Sequence, residues 1–451
     1  VRIPDEALSI IRAGIPSLGE PRFESPLYTL AQKAGVETLF PSDEERVVVT
    51  PMVGELANGF ANGGIPPSYE VAGPRKNIFF DPAQTRAAIV TCGGLCPGIN
   101  DIIRRLVITL YYQYGVTEVF GIRFGYRGLV DRLADAPLML RPDTIEPISN
   151  DGGTFLGSSR GHQDPIEMVD FLQRRKIQIL FTIGGDGTQK GSLAISQEAE
   201  KRGYALSVVG LPKTIDSDIA LIEKTFGFDT AVSIAAQVLR GAHVEAEAER
   251  NGVVIVKLMG RESGFLAVNA AIASGDVNFV LIPEVPFHLD GPNGFFAALK
   301  KRLERRGHAL VVVAEGVAKH FFSGKEGGTH QDASGNAIPN QDVGTYLKDR
   351  ITDYFREIDF DTKVRYIDPS YYVRSLPAIP ADSIFCQNLA HNAVHAAMAG
   401  KTRLVVGTSC GRYCHIPLEA VVLQRRFVDP LGSLWRSALE TTGQPAVMLN
   451  R

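Results

Sequence analysis

The chain has little of what would suit a nucleic-acid binder, a membrane protein or a disulfide scaffold. Its 47 Lys and Arg are offset by 50 Asp and Glu, leaving a net charge of −3. There is no basic block, so neither nucleic acid nor a membrane surface is an expected partner. No apolar run approaches the ~18 residues that a membrane span needs. Cysteine is sparse and odd in number, 5 in 451 residues. This argues against a disulfide framework and fits reduced thiols, so a cytoplasmic location is expected. Cys92/Cys96 and Cys410/Cys414 have equal spacing, and His415 follows the second pair. Zinc is the competing reading of those pairs. The glycines between Cys92 and Cys96 favour a ligand-binding loop instead. At 45% hydrophobic and 22% charged, the composition is that of an ordinary globular protein. The length suits two or three domains.

What is present concentrates between Lys176 and Asp218, where two pieces share one grammar. Residues 176–183 (Lys-Ile-Gln-Ile-Leu-Phe-Thr-Ile) lead into Gly184-Gly185-Asp186-Gly187-Thr188-Gln189-Lys190. Residues 207–211 (Ser-Val-Val-Gly-Leu) lead into Pro212-Lys213-Thr214-Ile215-Asp216-Ser217-Asp218. Each apolar, β-branched run reads as a buried parallel strand. Each loop carries an aspartate at the strand's end, where open α/β sheets bind ligands. Gly184, Gly185 and Gly187 let the backbone approach a ligand. Their N–H groups, at the start of a helix opened by Thr188, suit phosphate. An acid there repels phosphate unless a cation intervenes, so Asp186 reads as a Mg²⁺ ligand. Asp216 and Asp218, with Thr214 beside them, suit removal of a proton from a hydroxyl: one carboxylate takes it and the other orients its neighbour. One Gly-Gly-Asp-Gly alone is as easily a tight turn. Two such loops on strand ends argue for a site.

These two motifs together resemble the 6-phosphofructokinase family, in particular its long-chain branch with an N-terminal extension. The likeness runs from about Ala72 to the C-terminus, with the motifs in family order. It implies that the loop Cys92–Asn100 lies along a nucleotide, with Gly94 as a contacting glycine, and that Tyr126 lies near the adenine or ribose. Taken alone, Tyr126 is equally a half-buried loop aromatic. The small-residue run 152–161 ends in Arg160-Gly161. The resemblance implies that Arg160 bridges both phosphates and stabilises charge during transfer. Lys190 either neutralises phosphate or is a solvated surface lysine. In Met259-Gly260-Arg261-Glu262-Ser263-Gly264, a helix N-terminus and Arg261 make a second anion site that fits a sugar phosphate. The resemblance adds Thr214, Ile215, Asp216, Met259 and Gly260 to the sugar side, and Glu315 as an acceptor of sugar hydroxyls. It implies that Tyr371 and Arg374 face the sugar phosphate and that Arg365 enters the site of a neighbouring subunit. The Glu-rich run 245–249 reads as a solvated face. The polar, Gly-rich stretch 322–341 reads as a loop.

Departures bear on the phosphoryl donor. Short-chain members have Gly where this chain has Lys213, and Asn where it has Ser217. Pyrophosphate users usually carry Asp in place of Gly187 and Lys at the position of Lys213. A carboxylate at 187 would repel an α-phosphate, whereas Gly187 leaves that space open and favours ATP. The expected fold is α/β: two doubly wound lobes with the active site in the cleft between them, plus an N-terminal extension. The extension is 1–85. The nucleotide lobe is 86–225 with 376–425, and the sugar-phosphate lobe is 226–375 with 426–451. The expected reaction is transfer of the ATP γ-phosphoryl to the 1-hydroxyl of fructose 6-phosphate with Mg²⁺, Asp216 acting as general base, in a homo-oligomer (tetramer or dimer). A pyrophosphate-dependent enzyme is the alternative. A catalytically silent regulatory subunit is an alternative of another class, opposed by the presence of Asp186, Asp216 and Asp218.

Overall fold

The computed structural model of the chain describes residues 3–36, 39–61, 64–322, 329–331, 337–339 and 342–450. Much of the 322–341 stretch lies outside these. Its described parts, 329–331 and 337–339, pair as an antiparallel ribbon. Among the described residues no helix is long and apolar enough to cross a membrane.

In chain order, the strands of the two main sheets are β1 (Arg46–Val48), β2 (Ser68–Val71), β3 (Arg86–Thr91), β4 (Glu118–Ile122), β5 (Leu138–Met139), β6 (Ile179–Gly184), β7 (Ser207–Pro212), β8 (Gly252–Leu258), β9 (Phe279–Leu281), β10 (His308–Ala314), β11 (Lys363–Ile367), β12 (Leu404–Ser409) and β13 (Arg412–Pro417). The helices needed below are α1 (Ile99–Ile108), α2 (Asp186–Lys201), α3 (Phe228–Glu247), α4 (Phe265–Ser274) and α5 (Phe295–Arg306).

The chain divides into two units. Unit 1 comprises Val1–Thr214, Ile219–Gly227 and Ser375–Arg425; unit 2 comprises Ile215–Asp218, Phe228–Arg374 and Arg426–Arg451. Unit 1 holds a nine-stranded sheet of order β1-β2-β13-β12-β7-β6-β3-β4-β5. Its centre, from β4 to β12, is parallel, and the outer pairings are antiparallel. β6 and β7 are buried at every residue. Covering both faces of a strand is what makes a parallel strand apolar throughout. In α1 the stripe Ile99, Ile102, Ile103, Leu106, Val107 is buried, as a helical period requires.

Residues 1–85 are part of unit 1 rather than a separate layer. β2 pairs with β13, and β1 pairs with β2, so the segment widens the main sheet. A buried ionic cluster fastens it. The Glu70 carboxylate meets Arg75 at 2.8 Å, Lys401 at 3.1 Å and His415 Nδ1 at 3.0 Å. Burial alone would raise the Glu70 pKa, but the His415 hydrogen bond and the charges around it hold it at about 2. The segment is built from short helices and strands, of which β2 pairs on the sheet supplied by the rest of unit 1.

Unit 2 holds a four-stranded, all-parallel sheet of order β9-β10-β8-β11. Its core gathers Val253, Ile255, Val311 and Val313 from the strands with Phe295, Phe296 and Leu299 of α5.

Candidate active site

Unit 1 presents one set of loops. β3 and β6 are adjacent parallel strands, but the chain leaves β3 for β4 on the other side. The sheet order therefore reverses between β3 and β6, and the loops after both strands flank that switch point, where ligands bind in such sheets. After β6 the chain turns into α2 at Gly185, whose position at the helix start carries no side-chain cap. Thr188 N already donates to the Gly185 carbonyl at 2.9 Å, so the N–H groups of Asp186 and Gly187 are the ones at this helix start that suit an outside acceptor such as phosphate. Gln189 Nε2 donates to the Gly184 and Leu211 carbonyls and ties the ends of β6 and β7 together. A Cβ at Gly184 would lie 2.0 Å from Thr188 Oγ1, so the buried Thr188 closes the turn only against glycine. A Cβ at Gly187 would meet nothing within 4 Å.

Asp186 leads this helix. Its Oδ2 accepts from Lys190 Nζ at 3.0 Å and from Arg425 Nη2 at 3.0 Å and Nε at 3.3 Å. Only 10% of its side chain is exposed. A strand-end acid beside a phosphate cradle calls for cations, and Lys190 is one helical turn away. Arg425 was not found from the sequence, because no motif marks it. As a Mg²⁺ site the position fits in a limited way. It offers one carboxylate, and Mg²⁺ commonly takes one or two carboxylates with phosphate oxygens and water. An ion here would share that carboxylate with two cations.

The run ending in Arg160 is fastened to the first glycine loop. Ser158 Oγ donates to the Gly93 carbonyl at 2.6 Å, and Gly93 N donates to the Ser159 carbonyl at 2.9 Å. Arg160 is exposed, and Gly161 has φ +104°. Lys213 is buried, with Nζ bonded to the Gly94 carbonyl, so the lysine that marks the branch braces the loop opposite it. Tyr126 departs from the expected nucleotide-facing position. It is buried, its hydroxyl bonds the Thr188 carbonyl at 2.7 Å and Ser192 Oγ at 2.9 Å, and its ring lies against Gly191. Its place is behind the first turn of α2.

Unit 2 presents the other set. The loops after β10, β8 and β11 follow three neighbouring parallel strands. Gly260, after β8, has φ +131°, and a Cβ there would lie 2.3 Å from the Ser263 carbonyl, so this turn needs glycine. It sets Arg261, whose Nε lies 3.3 Å from Glu315 Oε1 at the end of β10. Burial raises the Glu315 pKa, and the Arg261 charge opposes that rise. The charge of Arg374 also reaches Glu315. The Arg374 guanidinium stands 4.9 Å from the centre of the Tyr371 ring, and Tyr371 is 74% exposed. Met259 is half-buried before Gly260.

The Ile215–Asp218 segment belongs to this unit, while Thr214 belongs to unit 1. Ile215 is buried. Ser263 Oγ donates to the Asp216 carbonyl at 3.0 Å, and Arg426 N donates to the Asp218 carbonyl at 2.9 Å. Between them Ser217 has φ +53°, a left-handed conformation.

At the start of α4, expected to form part of an anion site, one backbone N–H is already met from within the chain. Glu284 Oε1 accepts from Gly264 N and from Val428 N, both at 2.9 Å. In the single chain Arg365, expected to enter the site of a neighbouring subunit, is half-exposed and pairs with Glu245 and with Glu249, the latter at 3.0 Å.

Comparison with known proteins agrees with this layout. Residues 86–397 match the family model described as phosphofructokinase. The ATP-dependent 6-phosphofructokinase of Borreliella burgdorferi is 48% identical over 84% of this chain and 86% of its own. That of Amycolatopsis methanolica is 43% identical over 95% of this chain and 94% of its own. Among solved structures, Pichia pastoris phosphofructokinase in the T-state aligns with TM-score 0.60 at 21% identity, over 79% of this chain. The aligned part spans 37% of that longer chain, and the likeness concerns the fold alone. Strand-end glycine loops, the Thr-Ile-Asp segment and the extent of these matches agree: this chain belongs to the phosphofructokinase family.

Proposed function

We propose that the protein transfers the γ-phosphoryl group of ATP to the 1-hydroxyl of fructose 6-phosphate, giving fructose 1,6-bisphosphate and ADP. The observation that carries the choice of donor is the open space at Gly187, which an α-phosphate needs and a carboxylate would close. The relatives named above as ATP-dependent support the same choice. On this reading the uncapped start of α2, with Gly94, Gly161, Gly185, Gly187 and Thr188, holds the phosphates. Arg160 answers charge that develops during transfer. Mg²⁺ held through Asp186 neutralises phosphate charge. Asp216 removes the proton from the sugar hydroxyl, and Thr214 and Asp218 orient it. Arg261, Glu315, Tyr371 and Arg374 position the sugar phosphate. The protein is proposed to act as a cytoplasmic homo-oligomer.

A second reading, pyrophosphate as donor, draws on Lys213, braced against Gly94. A donor competition separates the two. Protein, fructose 6-phosphate and Mg²⁺ receive either ATP or pyrophosphate, and fructose 1,6-bisphosphate is measured. Turnover with ATP alone is expected. Turnover with pyrophosphate alone would overturn the donor and leave the acceptor standing.

A further inference from the structure

The Glu-rich run at the end of α3 resolves into two faces. Glu245 and Glu249 pair with Arg365, whereas Glu247 turns with His243, four residues back, toward His308. Residues four apart on a helix share a face, so α3 alone sets two of these three groups side by side. His308 is the first residue of β10, at the opposite end of the strand from the residue preceding Glu315.

We propose that His243, Glu247 and His308 form a site for one divalent transition-metal ion, with Zn²⁺ the best fit, that clips the end of α3 to the start of β10. One ligand atom from each residue lies within 4.8 Å of the others, the only such group of three among the described residues. Glu247 Oε1 stands 3.5 Å from His243 Nε2 and 3.9 Å from His308 Nε2. These gaps exceed good hydrogen bonds. The first comes within about 0.2 Å, and the second within about 0.6 Å, of the roughly 3.3 Å edge of a tetrahedron built from Zn–N and Zn–O bonds. The imidazole rings are 5.2 Å apart and inclined at 75°, edge to face rather than stacked. Two imidazoles and one carboxylate are a donor set that suits Zn²⁺ and leaves a fourth position for water.

The tautomer of His308 is fixed for this role. Arg302 Nη2 lies 3.3 Å from His308 Nε2, and arginine can only donate, so Nε2 carries the lone pair. The other side of the ring hydrogen-bonds the Arg306 backbone. A backbone bond of that kind orients metal-binding histidines. Burial and the Arg302 charge also lower the His308 pKa, which keeps the ring neutral near pH 7. Arg302 is at once the orienting group and the competitor, since an ion must take the lone pair that it now holds. The site is seven residues of strand from Glu315, about 23 Å along β10, so the clip is separate from the sugar-binding loops.

The test uses the full chain. Zn²⁺ affinity is measured at pH 7.5 against a chromophoric chelator, and the Co²⁺-loaded protein is examined by visible spectroscopy. One equivalent should bind, and Co²⁺ should give the visible bands of a tetrahedral ion without the near-ultraviolet band that thiolate ligands produce. Glu247→Gln and His308→Ala should each weaken Zn²⁺ by about a hundredfold. Glu247 is exposed at the helix end, so its variant will fold. Arg302→Gln should tighten binding on the order of tenfold, the effect of removing one charge about 6 Å from a dication in a water-like dielectric. Cys410→Ser, which removes the exposed thiol, should change nothing. Absence of binding, binding insensitive to Glu247→Gln and His308→Ala, or a thiolate band would each overturn the proposal.

Discussion

The two sets of loops handle negative charge in opposite ways. In unit 1 the first turn of α2 has no side-chain cap, and the acid that leads it is held by Lys190 and Arg425. The cradle is backbone, with its own acid already neutralised. In unit 2 Glu284 meets the N–H that precedes the corresponding helix, and the strand-end loops carry the guanidinium groups of Arg261 and Arg374. Backbone amides set along a glycine loop can follow a chain of phosphates whatever is attached to it. A planar guanidinium binds one anion group in one orientation. The difference suits a polyphosphate on one side and a single phosphate with hydroxyls on the other.

The contrast can be broken by experiment. Asp216→Asn is expected to have the largest effect, lowering kcat by about 10²- to 10⁴-fold with little change in either KM, the range for loss of a general base. Near-normal turnover would remove Asp216 from that role. Next, Arg261→Ala should raise KM for fructose 6-phosphate about 10- to 100-fold and leave KM for ATP unchanged, matching a charged hydrogen bond of about 1.5–3 kcal/mol. Equal effects on both substrates would erase the division between the sets.

Acidification should separate the units by stability. In unit 1, burial holds the His395 pKa at about 3 and also lowers that of His415, so unfolding takes up protons there. This stabilisation is complete above about pH 6.5 and falls by about 1.4 kcal/mol per pH unit per proton as the pH drops toward 3. In unit 2 burial raises Glu284 and Glu315, which carries the opposite sign, although the lowered His308 works against them. Hydrogen exchange at pH 7 and pH 5, corrected for intrinsic rates, should show β12 and β13 losing protection before β8 and β10. Loss in the reverse order would contradict the assignment. Glu284→Gln should cost about 1–2 kcal/mol in denaturant unfolding, because a charged acceptor at a helix start is weakened. The smallest pair of effects concerns Ser217. Its left-handed backbone predicts that Ser217→Gly stays within about 0.5 kcal/mol, while Ser217→Val costs about 2 kcal/mol.

What could be read in the sequence follows from range. β6 with Gly184–Lys190, and β7 with Pro212–Asp218, were legible because a strand buried on both faces and a glycine turn each leave a local mark. The spacing of Met259 to Gly264 likewise placed Arg261 correctly on a loop after a strand. Arg425 was not legible, because it lies 239 residues from the acid it holds, and nothing near it records that contact. The contact of Glu284 with the start of α4 was not legible either, because it is fixed only by tertiary packing. The Glu-rich run 245–249 was legible as a solvated face, since Glu245 and Glu247 are exposed; that Glu245 and Glu249 meet Arg365, more than a hundred residues away, was not.

The placing of Glu70 has a consequence for synthesis. It sits on β2, and its partner His415, on β13, is 345 residues further along the chain. When β2 leaves the ribosome, the strand it must pair with has not been made. Contacts of such separation form late, because their loops close at high entropic cost. Until residues 412–417 emerge, β2 presents an unpaired edge of the kind that invites association between nascent chains. β2, paired early with β1, therefore keeps its other edge open until residues 412–417 follow.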